Sequence, residues 1–321
     1  SLCCLLLCSS SAPLSPLPPR PPPPPPRRAP RFVLASPAWL LFIFFFAVPV
    51  LFIFWYSFGY KPDIYRTIAT DQLSFDRYVE SFSDTFRTVF SGTLQISIVG
   101  TILCLLIAFP FAYWLAVKVP PRWRGILLGL TIIPFWTNFL VRTLGWLILL
   151  QPNGALSGIM QDLGLIGSPL DVLDTREAVQ LGVIYNYLPL MIFPLFVALD
   201  RLDPALREAS KDLGANRWDT FRQVTLPLAL PGVIAGLLLV FIPLTGDYIT
   251  AAVLGGAKGN MVGALVASQF NTAQNWALGS AMAVILILMI LGSVAIFAVI
   301  GLIGRAIVRR RRRVEIEPVT A

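Results

Sequence analysis

The chain has 321 residues, of which 56% are hydrophobic and 13% charged, with a formal net charge of +8 at pH 7 and a mean hydropathy of +0.74. Soluble domains carry about 25% charged residues, so this composition excludes an ordinary soluble domain and predicts an all-α membrane protein that crosses the bilayer several times. The sequence contains no histidine and no Gly-x-x-x-x-Gly-Lys-Ser/Thr motif. A Ser-His-Asp site, a histidine-ligated metal and an ATPase site of its own are therefore not expected.

The first 37 residues differ in composition from the rest of the chain. They contain a run of prolines from position 21 to 26, several arginines and three of the four cysteines. We interpret residues 1–37 as a disordered Pro/Arg-rich tail, or as upstream sequence that was wrongly joined to the protein. The fourth cysteine, Cys104, lies in an apolar run, so neither a disulfide framework nor a metal site is predicted.

Six apolar runs are long enough to cross a bilayer, which requires about 20 residues. They cover residues 39–58, 94–117, 125–150, 179–199, 231–254 and 281–303. The sequence thus predicts six transmembrane helices in a domain from residue 38 to 307, followed by a basic tail at 308–321.

The distribution of lysine and arginine predicts the orientation of these helices. The two tails and the second and fourth loops hold 18 of these residues, and the alternate loops hold 6. Because lysine and arginine are retained on the cytoplasmic side of short loops, both termini are predicted to be cytoplasmic. The net positive charge is then explained by this bias and by arginines 309–313, which are expected to bind anionic membrane lipids. No nucleic-acid partner is expected.

The charged segment 200–230, between the fourth and fifth runs, is predicted to contain a short helix. Asp203 can accept hydrogen bonds from the first free N–H groups, and Pro204 stands at a position that needs no donor. Gly214 supplies the end of this helix.

A second short helix is predicted after that glycine. Asn216 can cap a helix from residue 217 to about residue 222. Pro227 and Pro231 are expected to end it before the next apolar run begins. The segment would then present two short helices on the cytoplasmic side of the membrane.

Two ionisable residues lie inside the predicted spans. Arg142 is about 26 Å along its helix from Gly125, and Asp247 is about 24 Å along its helix from Pro231, at 1.5 Å per residue. A charge within the bilayer is costly unless it faces a cavity or a partner. We hypothesise that Arg142 and Asp247 approach each other, directly or through neighbours, at an outer gate. The alternative is a snorkelling arginine and an interfacial aspartate.

Aromatic and amide side chains are predicted at the same depth as these two charges. Aromatic rings beside a carboxylate can hold an organic cation, although such rings are also common in membrane belts and helix cores. The candidate substrate-pathway residues are Trp136, Asn138, Arg142, Tyr185, Asp247 and Tyr248.

The charged segment resembles the loop signature of bacterial ABC importer permeases. Glu208 and Ala209 precede Gly214 by the family spacing, and Leu226-Pro227 follow it at the family distance, with Ser210 where alanine is usual. In that family the loop seats in a cleft of a cytoplasmic ATPase, so the resemblance implies coupling roles for Glu208, Ala209, Gly214, Leu226 and Pro227. The spacing would also suit any amphipathic surface helix.

The resemblance extends over about residues 38–307 and narrows to spermidine/putrescine permeases of the PotB and PotH type. It rests on the segments 134–143, 185–189, 212–215, 246–250, 254–256, 269–270 and 276–281. It implies the ABC type I importer permease fold in a bacterial inner membrane and a pathway for polyamines or a similar organic cation.

The same resemblance implies partners and no cofactor. The partners would be a second permease of the PotC or PotI type, two PotA-like ATP-binding subunits and a PotD- or PotF-like solute-binding protein outside the cytoplasm. Two alternatives stay open: a permease for another small solute, and an ATPase-independent secondary transporter. Asp247 is the one acid predicted inside a span, whereas proton-coupled carriers usually hold several.

Overall fold

The computed structural model describes residues 31–63, 66–256 and 258–311. The tail residues 1–30 and 312–321 lie outside this described part. Within it the chain is helical, apart from turns and two isolated antiparallel bridges, Tyr60 with Ala69 and Asp63 with Arg66. The chain divides into two compact units, Ser1–Pro49 and Val50–Ala321.

The described part of the first unit is helical from its first residue. Helix α1 covers Arg31–Phe42, a π-helical turn covers Ile43–Ala47, and α2 begins at Val48 and ends at Tyr56. The helix thus begins inside the segment that the sequence analysis assigned to a disordered tail ending at residue 37. The residues before Pro37 are mostly apolar and contain no glycine, so nothing in them opposes a helix.

The second unit contains the remaining helices. In chain order they are α3 (Asp76–Ser81), α4 (Asp84–Val117), α5 (Pro121–Trp136), α6 (Phe139–Leu150), α7 (Ala155–Asp162), α8 (Arg176–Asp200), α9 (Pro204–Asp212), α10 (Arg217–Thr220), α11 (Leu226–Thr245), α12 (Ile249–Leu254), α13 (Val262–Asn271) and α14 (Trp276–Arg311).

Within the described ranges, five helical segments are long and apolar enough to cross a membrane. They are Ser36–Tyr56, Phe86–Val117, Arg176–Asp200, Arg217–Thr245 and Trp276–Val299. A sixth candidate is the pair Pro121–Trp136 and Phe139–Asp162, if these two helices cross as one broken span. The apolar runs predicted from the sequence therefore correspond to helices, whereas the number of crossings and the side of each terminus stay predictions.

The third predicted span is not one continuous helix. The segments on either side of the break at residues 137 and 138 are bent by 86°. Thr137 is extended, and the Asn138 side chain accepts a hydrogen bond from Leu140 N at 2.8 Å and so caps a new helix. Arg142 lies on α6, beyond this break. The predicted distance of about 26 Å from Gly125 to Arg142 along one straight helix was therefore wrong.

The fifth predicted span is also interrupted. Helix α11 ends at Thr245, and α12 begins at Ile249. Asp247 lies in the break, where its carboxylate accepts hydrogen bonds from the N–H and hydroxyl of Thr250. These bonds hold the first turn of a second helix, α12. We had expected Asp247 to lie on the same helix as Pro231, and that prediction was wrong.

The second helix of the charged segment does not end at Pro227. Helix α10 continues through a π-helical turn, Phe221–Thr225, into α11. Leu226 N donates to Phe221 O, five residues earlier, and Pro227, the second residue of α11, continues the helix without an N–H to donate. Pro231 is likewise inside α11, as prolines in membrane helices often are.

The buried core lies where α4, α8 and α11 pack against one another. Glycines permit the closest approach of α8 and α11. A Cβ on Gly232 would overlap the Cβ of Ala198 and lie 2.8 Å from the carbonyl oxygen of Pro194, and one on Gly236 would lie 2.7 Å from Met191 Sδ. Small residues four positions apart thus let the two helix backbones meet, as is common in membrane bundles.

Candidate functional site

The charged segment folds as the sequence predicts at the start of α9. The Asp203 carboxylate accepts a hydrogen bond from Ala205 N at 2.9 Å, and Pro204 is the first helical residue. Both features satisfy or remove free N–H groups at the helix terminus. The start of this helix is therefore encoded locally.

Gly214 forms the turn that ends α9. Its φ is +84°, a conformation that residues with a Cβ rarely adopt. Gly214 N donates to Lys211 O at 2.8 Å, and Ala215 N donates to Ser210 O at 3.1 Å. This pair of bonds is the Schellman arrangement at a helix C-terminus, and it sets the direction in which α10 leaves.

The two short helices are also joined by side chains. Ser210 Oγ and Thr220 Oγ1 are 3.2 Å apart and share a hydrogen bond. Asn216 caps α10 by accepting from Trp218 N at 2.9 Å and Asp219 N at 2.8 Å. Ser210, which stands where the related loops have alanine, thus links α9 to α10.

Helix α9 presents two different faces. One face borders an open groove of about 530 Å³ that includes Leu206, Ala209 and Leu213. Leu213 is 89% exposed and Leu206 is 48% exposed. Both values are high for large apolar side chains. This groove is an apolar surface available to a partner.

The other face of α9 carries Glu208. This carboxylate is exposed and borders a second cavity together with basic residues of α4, α9 and α10. Ala209 and Glu208 therefore lie on different faces, although the sequence analysis grouped them. The 3.6-residue period of the helix separates neighbours by about 100° and explains this division.

Leu226 and Pro227 lie away from the α9 surface. Both are partly buried at the start of α11. The preceding π-helical turn is anchored to α4, because the Phe221 ring makes edge contacts with Phe109 at 5.7 Å and with Tyr113 at 5.8 Å. A displacement of α10 would thus reach both α4 and α11.

The predicted substrate-pathway residues lie where α6, α8 and the break before α12 meet. Buried Asn186 donates to Thr143 Oγ1 at 3.1 Å and so joins α8 to α6. The Tyr187 hydroxyl contacts Pro243 O at 3.4 Å, and it also interacts with the Asp247 carboxylate and with the charge of Arg142. Tyr187 therefore lies near both charged side chains.

The Arg142 guanidinium is surrounded by rings. Its Cζ lies 5.4 Å from the ring centre of Phe135 and 5.6 Å from that of Phe139. Arg142 Nε and Nη1 are buried and have no hydrogen-bond partner in the described part of the chain. Cation–π contacts stabilise this charge, but these two buried donors lack the hydrogen bonds that buried polar groups usually make.

Asp247 is 6% exposed and is held by its own helix start. Its Oδ1 accepts from Thr250 N at 3.0 Å, and its Oδ2 accepts from Thr250 Oγ1 at 2.6 Å. Among the described residues it forms no ion pair, with Arg142 or with any other cation. The hypothesis of an outer gate and the alternative of an interfacial aspartate both stay predictions.

The remaining pathway candidates are more exposed. Trp136 ends α5 with 87% of its surface exposed, and Tyr248 is 50% exposed beside Asp247. Tyr185 is 39% exposed and packs edge-on against Trp146 at 5.5 Å. Asn138 is exposed and serves as the cap of α6. These side chains are directed outward from the described bundle.

Two residues of this region had no role in our sequence-based site. Tyr187 was one of several aromatic residues on the fourth span, and only the packing of α8 places it beside Asp247. Thr250 follows Asp247 by three positions, a spacing that could have indicated a helix cap. Within the described residues, no three side chains that could ligate a metal come together.

Comparison with known proteins agrees with this geometry. Residues 108–313 match the family "Binding-protein-dependent transport system inner membrane component". The chain is 39% identical over 247 residues to the spermidine/putrescine transport system permease protein PotB of Haemophilus influenzae, covering 77% of this chain and 85% of that protein. It is 36% identical over 249 residues to PotB of Escherichia coli K12, covering 77% and 88%.

A solved structure shares the fold. The chain resembles a bacterial ABC transporter involved in the import of the acidic polysaccharide alginate, with a TM-score of 0.68 and 16% identity, covering 88% of this chain and 96% of the other. The helical bundle, its charged segment and these similarities agree. The chain belongs to the family of inner-membrane components of binding-protein-dependent transport systems, as an ABC importer permease of the PotB type.

Proposed function

We propose that this chain forms the translocation pathway for polyamines, or a similar organic cation, in an ATP-driven importer. The observation that carries this proposal is the similarity to the two PotB proteins over 77% of the chain. The buried carboxylate of Asp247 beside Tyr187, with Tyr248 exposed next to it, supports a cationic solute. A carboxylate flanked by aromatic rings suits an amine through charge and cation–π attraction.

The proposal includes how ATP drives transport. The groove with Leu206, Ala209 and Leu213 would seat in an ATPase subunit, and Gly214 would fix the angle between α9 and α10. Closure of the ATPase pair would then move α10, and the contacts of Phe221 would carry that motion to α4 and α11. Glu208, on the other face of α9, would serve as a charged contact with the ATPase, and Leu226 and Pro227 would transmit the motion into α11.

We further propose the assembly and topology of the complex. The chain would pair with a PotC- or PotI-like permease, two PotA-like ATPases and a PotD- or PotF-like binding protein. It would cross the membrane six times, with the pair α5 and α6 as one broken span, and with both termini in the cytoplasm. Residues 38–307 would form the permease domain, and the exposed Trp136 and Tyr248 would face the second permease across the pathway.

The experiment that tests the solute class is uptake by the assembled complex in proteoliposomes. We expect ATP-dependent uptake of radiolabelled spermidine that unlabelled putrescine inhibits and that amino acids and phosphonates leave unchanged. The binding protein is added outside and ATP is enclosed. Uptake by this chain without ATPase subunits, or inhibition by an anionic solute instead, would contradict the proposal.

A substitution at Asp247 tests the pathway. We expect Asp247→Asn to lower spermidine uptake about tenfold or more, because a hydrogen bond to a charged group contributes about 1.5–3 kcal/mol. Asparagine is also a good helix cap, so the start of α12 should persist. The measurement is the initial uptake rate at equal complex concentration.

Arg142 supplies a matched comparison for that experiment. Arg142→Gln removes the opposite charge and leaves the Thr250 contacts of Asp247 in place. It should therefore lower spermidine uptake less than Asp247→Asn does. Unchanged uptake in the Asp247→Asn complex would remove Asp247 from the pathway.

A further inference from the structure

A basic cavity lies on the face of α9 opposite the apolar groove. Its volume is about 590 Å³, and it is enclosed by the end of α4, by α9 and by α10. The charged side chains that line it are Lys118, Arg207, Glu208, Lys211 and Arg217. Positive charge therefore exceeds negative charge around this space.

These cations are not paired within the described part of the chain. None of the four basic side chains forms an ion pair among the described residues. Arg124, at the start of α5, shows the opposite arrangement, because it pairs with Asp200 at 2.5 Å. Four like charges around one cavity repel one another, and a single carboxylate does not balance them. An external anion would remove this repulsion.

The depth of the cavity in the bundle indicates where that anion comes from. Val117 is the last residue of α4 and of the candidate membrane span Phe86–Val117, and Lys118 follows it directly. Trp114 and Trp218 near this end are 46% and 66% exposed, which is typical of aromatic residues at a membrane interface. A candidate span that ends at the cavity and exposed tryptophans beside it are the features expected at the level of lipid headgroups.

We propose that this cavity binds the phosphate of an anionic phospholipid headgroup and that this lipid stabilises the coupling segment. The phosphate would join Lys118 of α4 to Lys211 of α9 and Arg217 of α10. Without it, the repulsion between these cations would push Lys118, Lys211 and Arg217 apart and weaken transmission of ATPase closure. Basic pockets between membrane helices on the cytoplasmic side bind such headgroups. The proposal rests on the cytoplasmic position and coupling role of segment 200–230.

The direct test is binding of a defined lipid to the purified, assembled complex. Dioctanoyl phosphatidylglycerol is titrated into the complex in detergent, and native mass spectrometry measures the affinity of the tightest bound lipid. Lys211→Gln or Arg217→Gln should weaken this affinity about fivefold, and the double variant about 25-fold, as expected for cations near an anionic headgroup.

Arg222 provides a charge-matched control. It is exposed on the same segment but does not line the cavity, so Arg222→Gln should leave the affinity unchanged. Dioctanoyl phosphatidylcholine should not occupy the site. Equal weakening by Arg222→Gln would mean diffuse surface attraction, and equal binding of phosphatidylcholine would mean no headgroup recognition; either result overturns the proposal.

A soluble anion is the competing source of the phosphate. Inorganic phosphate at the concentration of the lipid should not displace phosphatidylglycerol, because it lacks the acyl chains that hold the headgroup at the interface. Displacement at equal concentration would assign the cavity to a soluble phosphate and overturn the lipid proposal.

A measurement of ATPase activity distinguishes this lipid proposal from the proposed transport function. In nanodiscs of equimolar phosphatidylcholine and phosphatidylglycerol, the wild-type complex should hydrolyse ATP in response to the loaded binding protein several-fold faster than in phosphatidylcholine alone. The double variant should lose this difference and still co-purify with the ATPase subunit. Loss of the ATPase subunit would assign the cations to that contact instead. A wild-type chain that never retains an ATPase would refute the transport function but leave the lipid titration interpretable.

Discussion

Gly214→Val is expected to reduce both uptake and the ATPase response to the loaded binding protein by about tenfold or more. The φ of Gly214 is +84°, and a residue with a Cβ pays about 1–2 kcal/mol in this region of backbone space. A Cβ there would meet no neighbouring atom, so the effect comes from the backbone alone. Relief of that strain would redirect α10, and a change of 1.4 kcal/mol corresponds to about tenfold.

Gly214→Asn is the matched control, because asparagine tolerates the left-handed conformation better than valine. It should retain most of the activity although its side chain is of similar size. Both variants are compared by co-purification of the ATPase subunit and by the stimulated ATPase rate. Equal activity of the valine and asparagine variants would show that the Schellman turn does not control coupling.

Gly232→Val is expected to destabilise the helix bundle and lower its unfolding temperature. The new side chain would overlap the Cβ of Ala198 and the backbone of Pro194, and backbone cannot yield as a flexible side chain does. Overpacking of a filled core costs about 1–3 kcal/mol, and this contact lies between α8 and α11 in the main core. The measurement is the thermal stability and yield of the complex purified in detergent.

Gly292→Val separates this packing effect from the intrinsic cost of valine in a helix. Gly292 lies within α14, and a Cβ there would have no neighbour within 4 Å. The Gly292 variant should unfold within a few degrees of the wild type, whereas the Gly232 variant should unfold at clearly lower temperature. If the two variants lose stability equally, the close approach of α8 and α11 is not what limits the fold.

The charged segment was predictable because its signals are local. Asp203, Pro204, Gly214 and Asn216 each act on hydrogen bonds within a few residues of their own position, and the structure shows all four in the expected roles. The continuation of α10 into α11 was missed. A π-helical turn satisfies Leu226 N through Phe221 O, and proline patterns alone do not reveal such a turn.

The site inside the bundle was only partly predictable. The sequence identified Arg142 and Asp247 as unusual charges, since their cost in a bilayer depends on residue type. It placed them on two straight rods, whereas both rods are broken beside these residues. The position of Tyr187 near both charges depends on the packing of α6, α8 and α12, which no local sequence pattern predicts.

The sequence by itself determined the membrane class of this protein, the approximate positions of its apolar helices and the caps of α9 and α10. These properties follow from hydrophobic length and from hydrogen bonds between near neighbours in the chain. Only the tertiary structure decided that Tyr187 lies near both Arg142 and Asp247 and where the spans break. It also decided that α9 has an apolar groove on one face and a basic cavity on the other. Those features arise where distant segments meet, and the contacts between them depend on the path of every helix.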